Sequence, residues 1–140
     1  MGPPGPSRAA GGGPPAEPFV VDREKICPLL MRVFIKPGGH HRLEDFATRG
    51  KEPTGDAEIQ IYTWMDATLR ELSDLIKEVK PAARGRQTRL SFTFVYPDRS
   101  GRNVMRQVGV VHSTRAGTDD ERSLKSLSFQ IGDFLDVAIM

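Results

Sequence analysis

The sequence predicts one α+β domain behind a segment that has little capacity to fold. Three observations predict it. Five short stretches alternate apolar and polar side chains, one amphipathic helix separates the second stretch from the third, and 11 of the first 18 residues are Gly or Pro. Because such a segment has almost no apolar surface to bury, we expect residues 1–18 to be a disordered tail and residues 19–140 to form the domain.

The predicted strands span 29–35, 58–63, 88–96, 104–108 and 134–139. A long polar connection, 36–57, joins the first two strands and contains a short helical turn near 43–46. Residues 124–129 are expected to form a turn that covers the core. Two early strands, a crossover helix and a terminal strand are the pattern of a ubiquitin-like β-grasp fold. We therefore expect a mixed five-stranded sheet with the first and last strands parallel at its centre.

The helix has the clearest pattern in the chain. Thr68 and Glu71 have the spacing of a capping box, and Lys80 and Pro81 end the helix. Apolar residues that recur every three or four positions form the stripe that should cover one face of the sheet. The members of this stripe are Leu69, Leu72, Leu75, Ile76 and Val79.

The opposite face of the sheet has no helix to cover its apolar residues, so we expect it to bind a partner. The residues predicted for this surface are Leu30, Arg32, Phe34, Tyr62, Trp64, Phe134 and Asp136. Arg32 and Asp136 lie on adjacent strands and are predicted to pair. Replacing Phe34 or Tyr62 by Asp should weaken partner binding with the fold intact. Two alternatives stay open: the long loops fold back over this face, and Trp64 packs at the strand–helix junction.

The length, composition and net charge of the chain limit its location and its partners. The 140 residues, 38% of them hydrophobic, suffice for one domain with a core, and a net charge of +2 lacks the basic excess of a dedicated nucleic-acid binder. With a single cysteine, Cys27, no internal disulfide is possible, which suits the cytosol or the nucleus. We find no secretory signal, lipidation signal or membrane span, and expect no membrane association.

No catalytic constellation is recognisable, so we predict a protein that is not an enzyme and holds no cofactor or metal. Cys27 precedes a proline and is expected to be a buried small side chain. Adjacent His40 and His41 should point in opposite directions from an extended chain. The arginine-rich region 84–106 gives the alternative function, a direct RNA-binding domain. The chain ends within the last predicted strand without Gly-Gly, so we do not expect a conjugated modifier.

Three segments, in order, resemble one family: the Sin-associated polypeptide family of eighteen kilodaltons. They are DREKICPLLMRVF at 22–34, QIYTWMDATLREL at 60–72 and FQIGDFLDV at 129–137. The similarity covers residues 21–139 and excludes the Gly/Pro-rich tail. This sequence ends at Met140, without the proline-rich C-terminal extension of some members, so any role of that extension is not expected here.

The resemblance implies a ubiquitin-like fold and a nuclear adaptor, with the cytoplasm left open as a second location. It implies membership of Sin-type corepressor and histone deacetylase assemblies. It also implies membership of an apoptosis- and splicing-associated complex linked to the exon junction, where Acinus-like or Pinin-like scaffolds and a serine-rich RNA-binding protein are the partners. RNA would then be contacted at most indirectly, and no binding residue is transferred from the family.

Overall fold

The computed structural model of the protein describes residues 20–46 and 58–140. The predicted disordered tail, residues 1–18, lies outside the described residues, as do Phe19 and residues 47–57 of the long connection. Within them are five strands and one α-helix, and the 3₁₀ turn that was predicted near 43–46 is present as Leu43–Phe46. The elements in chain order are β1 (Leu29–Pro37), β2 (Glu58–Thr63), α1 (Leu69–Val79), β3 (Arg89–Pro97), β4 (Asn103–His112) and β5 (Phe134–Ile139).

The five strands form one mixed sheet in the order β2-β1-β5-β3-β4. β1 and β5 are parallel neighbours at its centre, with Val33 opposite Leu135, and every other pairing is antiparallel. The prediction of a central parallel pair of first and last strands is confirmed. With α1 on one face, this is the mixed α+β, ubiquitin-like architecture that the strand order predicts.

Helix α1 begins where its sequence indicates. The Thr68 hydroxyl accepts a hydrogen bond from the Glu71 N–H at 3.2 Å, which satisfies one unpaired donor of the first turn. Leu69, Leu72 and Ile76 are fully buried against the sheet. Val79 is 56% exposed, so its predicted place in the apolar stripe is wrong. The chain turns immediately after it, and Ala83 from the following 3₁₀ turn enters the core.

The main core lies between α1 and the sheet, and the segment 124–129 closes it from the side. Leu124, Leu127 and Phe129 are all buried, as predicted for this turn. The Phe129 ring meets the Phe94 ring edge-on with centroids 5.2 Å apart, an arrangement that favours aromatic pairs. This side of the sheet is therefore filled by the protein's own side chains, and functional surface must lie elsewhere.

Strand β4 is twice as long as the predicted strand 104–108, because it continues through Gly109. The pairing register with β3 shifts at this point, which marks a β-bulge. A Cβ atom on Gly109 would lie 2.7 Å from Leu69 Cδ1, so the helix packs directly on the strand there. Gly109 is thus the site where α1 approaches the sheet.

Candidate functional site

The candidate site is the sheet face opposite α1, which we call the open face. It has two parts. The covered half surrounds Phe34 and lies beneath the loop 38–46. The bare half surrounds Leu30 and Tyr62 and has none of the described residues above it. The two halves share strand β1, because Leu30, Arg32 and Phe34 alternate along it toward the same side.

The covered half contains a small second core. Phe34, Phe46 and Val95 are buried, with Phe134 and Met105 packed at the margin. The Phe34 ring contacts Phe46 and Phe134 edge-on, with centroid distances of 5.2 and 5.3 Å. The prediction that Phe34 is open to a partner is wrong, since its exposed fraction is 0%. The alternative expectation, a long loop folded back over the face, holds for this half.

A buried carboxylate anchors the covering loop. Asp136, on β5, has no exposed surface. Its two carboxylate oxygens accept hydrogen bonds from His40 Nδ1 at 2.7 Å and from His41 Nδ1 at 2.6 Å. The backbone N–H of His41 donates to the same carboxylate at 3.1 Å. The expectation that the two rings point in opposite directions is therefore wrong. The loop turns at Gly38, where φ is +87°, and is not extended.

The His40 ring continues this network toward β3 and β4. Because Nδ1 donates to Asp136, the other nitrogen of a singly protonated ring is an acceptor for the Ser91 hydroxyl, 2.9 Å away. The Ser91 oxygen in turn accepts from the Gln107 amide at 2.8 Å. The Thr93 hydroxyl lies 3.3 Å from the same nitrogen of His40. Side chains of β3, β4 and β5 therefore join in one polar network around the histidines of the loop.

The order Ser91, His40, Asp136 reproduces the hydrogen-bond sequence of a hydrolytic triad. This grouping was not predicted, because the three residues are far apart along the chain. Ser91 is, however, only 1% exposed, on a central strand and beneath the imidazole. A substrate carbonyl has no approach to its oxygen, so the arrangement fits loop anchoring and does not fit acyl transfer.

Arg32 connects the two halves of the open face. It forms an ion pair with Glu58 across the β1–β2 pairing, and its guanidinium lies 5.2 Å from the ring centroids of Phe34 and Phe134. The predicted Arg32–Asp136 pair is wrong, because the two histidines occupy both oxygens of Asp136. Glu58, the first residue of β2, was not predicted as the partner of Arg32.

The bare half is a directly opposed pair of exposed side chains. Leu30 and Tyr62 face each other across β1 and β2, and they are 41% and 65% exposed. Within the described residues β2 is the outermost strand, so no further strand lies beyond Tyr62. Of the predicted partner-binding residues, the structure thus leaves Leu30 and Tyr62 exposed and Phe34 and Asp136 buried. The other three, Arg32, Trp64 and Phe134, are half-buried.

Trp64 lies beside the bare half and holds the segment before β1. Its indole N–H donates to the Ile26 carbonyl at 2.7 Å, and the Arg23 guanidinium stacks 4.9 Å from its ring centroid. Arg23 also forms ion pairs with Asp66 at 2.9 Å and Glu71 at 2.8 Å. The packing alternative for Trp64 therefore describes its position better than an exposed contact residue.

Asp66 is the polar centre of this attachment. Burial alone would raise its pKa, but the Val21 N–H and the Arg23 guanidinium outweigh burial and hold the pKa of this carboxyl below its usual value. Neither Arg23 nor Asp66 was singled out from the sequence, because their contact spans more than forty residues of chain.

Cys27 follows Ile26 and is exposed, so its predicted burial is wrong. The segment 22–28 runs along the outside of Trp64 and does not enter the sheet, which is why the thiol stays in solvent. His112, the third histidine, accepts the backbone N–H groups of Thr114 and Arg115 at its Nδ1. Among the described residues, no group of three or more His, Cys, Asp or Glu side chains could hold a metal ion.

The basic region 84–106 spans the whole of β3 and the start of β4. Arg84 donates to the carbonyl groups of Lys77 and Glu78 and caps the end of α1. Arg86 precedes β3 and Arg99 follows it, and nine residues at roughly 3.3 Å per residue place about 30 Å between them. Arg86 and Arg99 therefore lie at opposite ends of β3, and the RNA-binding alternative stays a prediction.

Comparison with known proteins identifies the family. The family model described as Sin3 associated polypeptide p18 (SAP18) matches residues 20–139. The chain belongs to the Sin3 associated polypeptide p18 family. The match begins at the first described residue before β1 and ends with the last residue of β5, so the whole β-grasp domain is family sequence. The resemblance inferred from three sequence segments is confirmed.

Curated members of the Sin3 associated polypeptide p18 family match most of this chain. A protein of Arabidopsis thaliana named histone deacetylase complex subunit SAP18 is 56% identical over 97% of this chain and 90% of its own length. The Homo sapiens protein of the same name is 52% identical over 85% of this chain and 77% of its own length. The Drosophila melanogaster protein of that name is 46% identical over 85% and 78%. These relatives are named as subunits of a complex and not as enzymes.

No helix among residues 20–46 and 58–140 combines the length and the apolar character that crossing a membrane requires.

Proposed function

We propose that this protein is a non-enzymatic adaptor subunit of a nuclear histone deacetylase complex. The family membership supports the complex, since relatives with 46–56% identity are named as its subunits. The buried position of Ser91 supports a non-enzymatic role, because the one triad-like grouping described is closed to substrate. Both a nuclear location and a role in transcriptional repression follow from this proposal.

The exposed Leu30–Tyr62 pair is the single observation on which the proposed binding surface rests. Exposed leucine and tyrosine side chains placed directly opposite each other offer a partner an apolar contact with a hydroxyl at its margin. Arg32 adds a guanidinium that is already held by Glu58, so little side-chain entropy is lost when a partner docks. In this proposal a protein partner covers the bare half, as the loop 38–46 covers the other half.

We further propose that the same subunit connects deacetylase-based repression with messenger RNA splicing. The partners in that setting are an Acinus-like or Pinin-like scaffold and a serine-rich RNA-binding protein, which the sequence resemblance implies. The division of the arginines between the two ends of β3 supports RNA contact through such a partner and not through this domain.

The test is quantitative affinity purification of the tagged full chain from nuclear extract. We expect deacetylase-complex, Acinus-like or Pinin-like proteins to be recovered, and we expect Tyr62→Asp combined with Leu30→Asp to reduce their recovery at least tenfold. Val79→Asp is the matched control, because Val79 is also an exposed apolar residue but lies on α1. If none of these proteins is recovered, the adaptor proposal is wrong. If the control reduces recovery equally, the surface is wrong and the adaptor proposal stands.

A further inference from the structure

A recess lies at the end of the sheet where β3 extends beyond β5. The first residue of β5, Phe134, pairs with Val95, so the last two residues of β3, Tyr96 and Pro97, have no strand partner on that side. The β3–β4 hairpin continues beyond them and forms one wall. The loop 128–133 forms the opposite wall, and Phe46 from the covering loop closes one end. The result is a half-enclosed groove of about 1030 Å³.

The lining of this groove is apolar at its base and charged at its hairpin wall. Phe134, Tyr96 and Phe46 contribute aromatic surface, and Ile131, at 74% exposure, stands at the rim. An exposed isoleucine beside aromatic surface is the kind of group that a binding partner buries. The volume equals the upper end of the range for small-molecule sites, and the half-enclosed shape suits a chain segment better than a compact ligand.

Four charged side chains line this groove, two of them basic, Arg99 and Arg106, and two acidic, Asp98 and Asp133. Asp98 accepts the backbone N–H groups of Ser100 and Arg102 and so closes its own turn. Asp133 accepts the Gln130 N–H, and burial raises the pKa of this carboxyl. Arg99 lines the groove without an ion-pair partner among the described residues. A bound carboxylate can therefore pair with Arg99, while backbone N–H groups hold the two acids of the groove in their own turns.

We propose that this groove binds an extended acidic–apolar segment of a protein partner. An aromatic or branched aliphatic side chain of the segment packs between Ile131 and the aromatic base, and a neighbouring Asp or Glu pairs with Arg99. The unpaired edge at Tyr96 accepts the segment's backbone. This site is separate from the Leu30–Tyr62 pair, since it lies beyond β5 at the other side of β1. This proposal rests on the proposed adaptor function in one respect, namely that a protein occupies the groove.

Selection from a random twelve-residue peptide library on the immobilised full chain tests the proposal. We expect an enriched motif with an aromatic or aliphatic residue flanked by Asp or Glu. A fluorescent copy of that peptide should bind at least tenfold more weakly to Ile131→Asp and to Arg99→Glu. Val79→Asp and Arg86→Glu are the matched controls, exposed residues of the same types outside the groove, and should change the affinity less than twofold.

Four results would overturn the proposal. The first is a basic motif or no motif, and the second is an equal loss of peptide affinity in the control variants. The third is peptide binding that appears only after residues 47–57 are replaced by a Gly-Ser linker, which would mean that this segment of the protein itself occupies the groove. The fourth is tight binding of fluorescent oligouridine that Arg99→Glu abolishes, which would assign the arginines to RNA. None of these results bears on recovery of the deacetylase complex through Tyr62, so failure here and failure of the adaptor function are distinguishable.

Discussion

The covered and bare halves of the open face come from alternate residues of one strand, yet their exposure differs completely. Leu30 is 41% exposed, whereas Phe34, four residues later on the same side, is fully buried. The difference lies above the strand and not in it. Asp136 fixes the loop 38–46 over Phe34, and none of the described residues does the same for Leu30. A polar anchor, more than apolar pattern, decides which part of the face stays available.

Substitution of Phe34 should lower the stability of the protein more than any other change on the open face. Truncating a buried phenylalanine to alanine costs about 3–5 kcal/mol, and Phe34→Asp adds an unpaired charge in the same apolar site. We expect Phe34→Asp to lower the midpoint of urea unfolding severely or to prevent folding. Tyr62→Asp, an aromatic-to-acid change on the same face, should leave the midpoint nearly unchanged. Similar midpoints for the two variants would show that Phe34 is not a core residue.

Removal of the anchor should have the next largest effect. Asp136→Ala leaves His40 and His41 without an acceptor, and an unsatisfied buried polar group costs about 1–3 kcal/mol. We expect faster amide hydrogen exchange across residues 38–46, with β1 and β5 still protected. Asp136→Asn, which retains one acceptor oxygen, should be intermediate, and the exposed Glu44→Ala in the same loop is the control. Unchanged exchange in Asp136→Ala would contradict the anchoring role.

The sequence predicted where residues lie better than what they contact. Two-residue alternation and the capping box located the strands and α1, because these signals are local. The Arg32 side chain was placed on the correct face but assigned the wrong partner, since Glu58 and Asp136 are both on strands beside β1. The burial of Phe34 depends on Phe46, whose position is set by the contacts of His40 and His41 with Asp136 across nearly a hundred residues. No local pattern encodes that separation.

The N-terminal attachment beside the bare half should show a smaller, pH-dependent effect. The folded-state pKa of Asp66 is depressed, so its contribution to stability is present above the unfolded-state pKa near 3.9 and is lost as pH falls through the lower folded-state value. We expect Trp64 fluorescence to change below about pH 4 as Arg23 and Ile26 detach. In Asp66→Asn this transition should be absent at every pH, and a wild-type transition that survives the substitution would assign it to another carboxyl.

Changes confined to the bare half should affect stability least. Tyr62→Ser removes a side chain that is largely in solvent, and surface substitutions of this kind usually change the free energy of unfolding by at most about 0.5 kcal/mol. Leu30 is 41% exposed, so Leu30→Ser should add a loss that is small beside that of a core truncation. We expect the double variant to unfold at nearly the wild-type urea midpoint with an unchanged slope. A loss above about 2 kcal/mol, the size expected for core truncation, would mean that another part of this chain covers Leu30 and Tyr62. The two halves would then be equally closed, and the partner surface would have to be sought at the groove beyond β5.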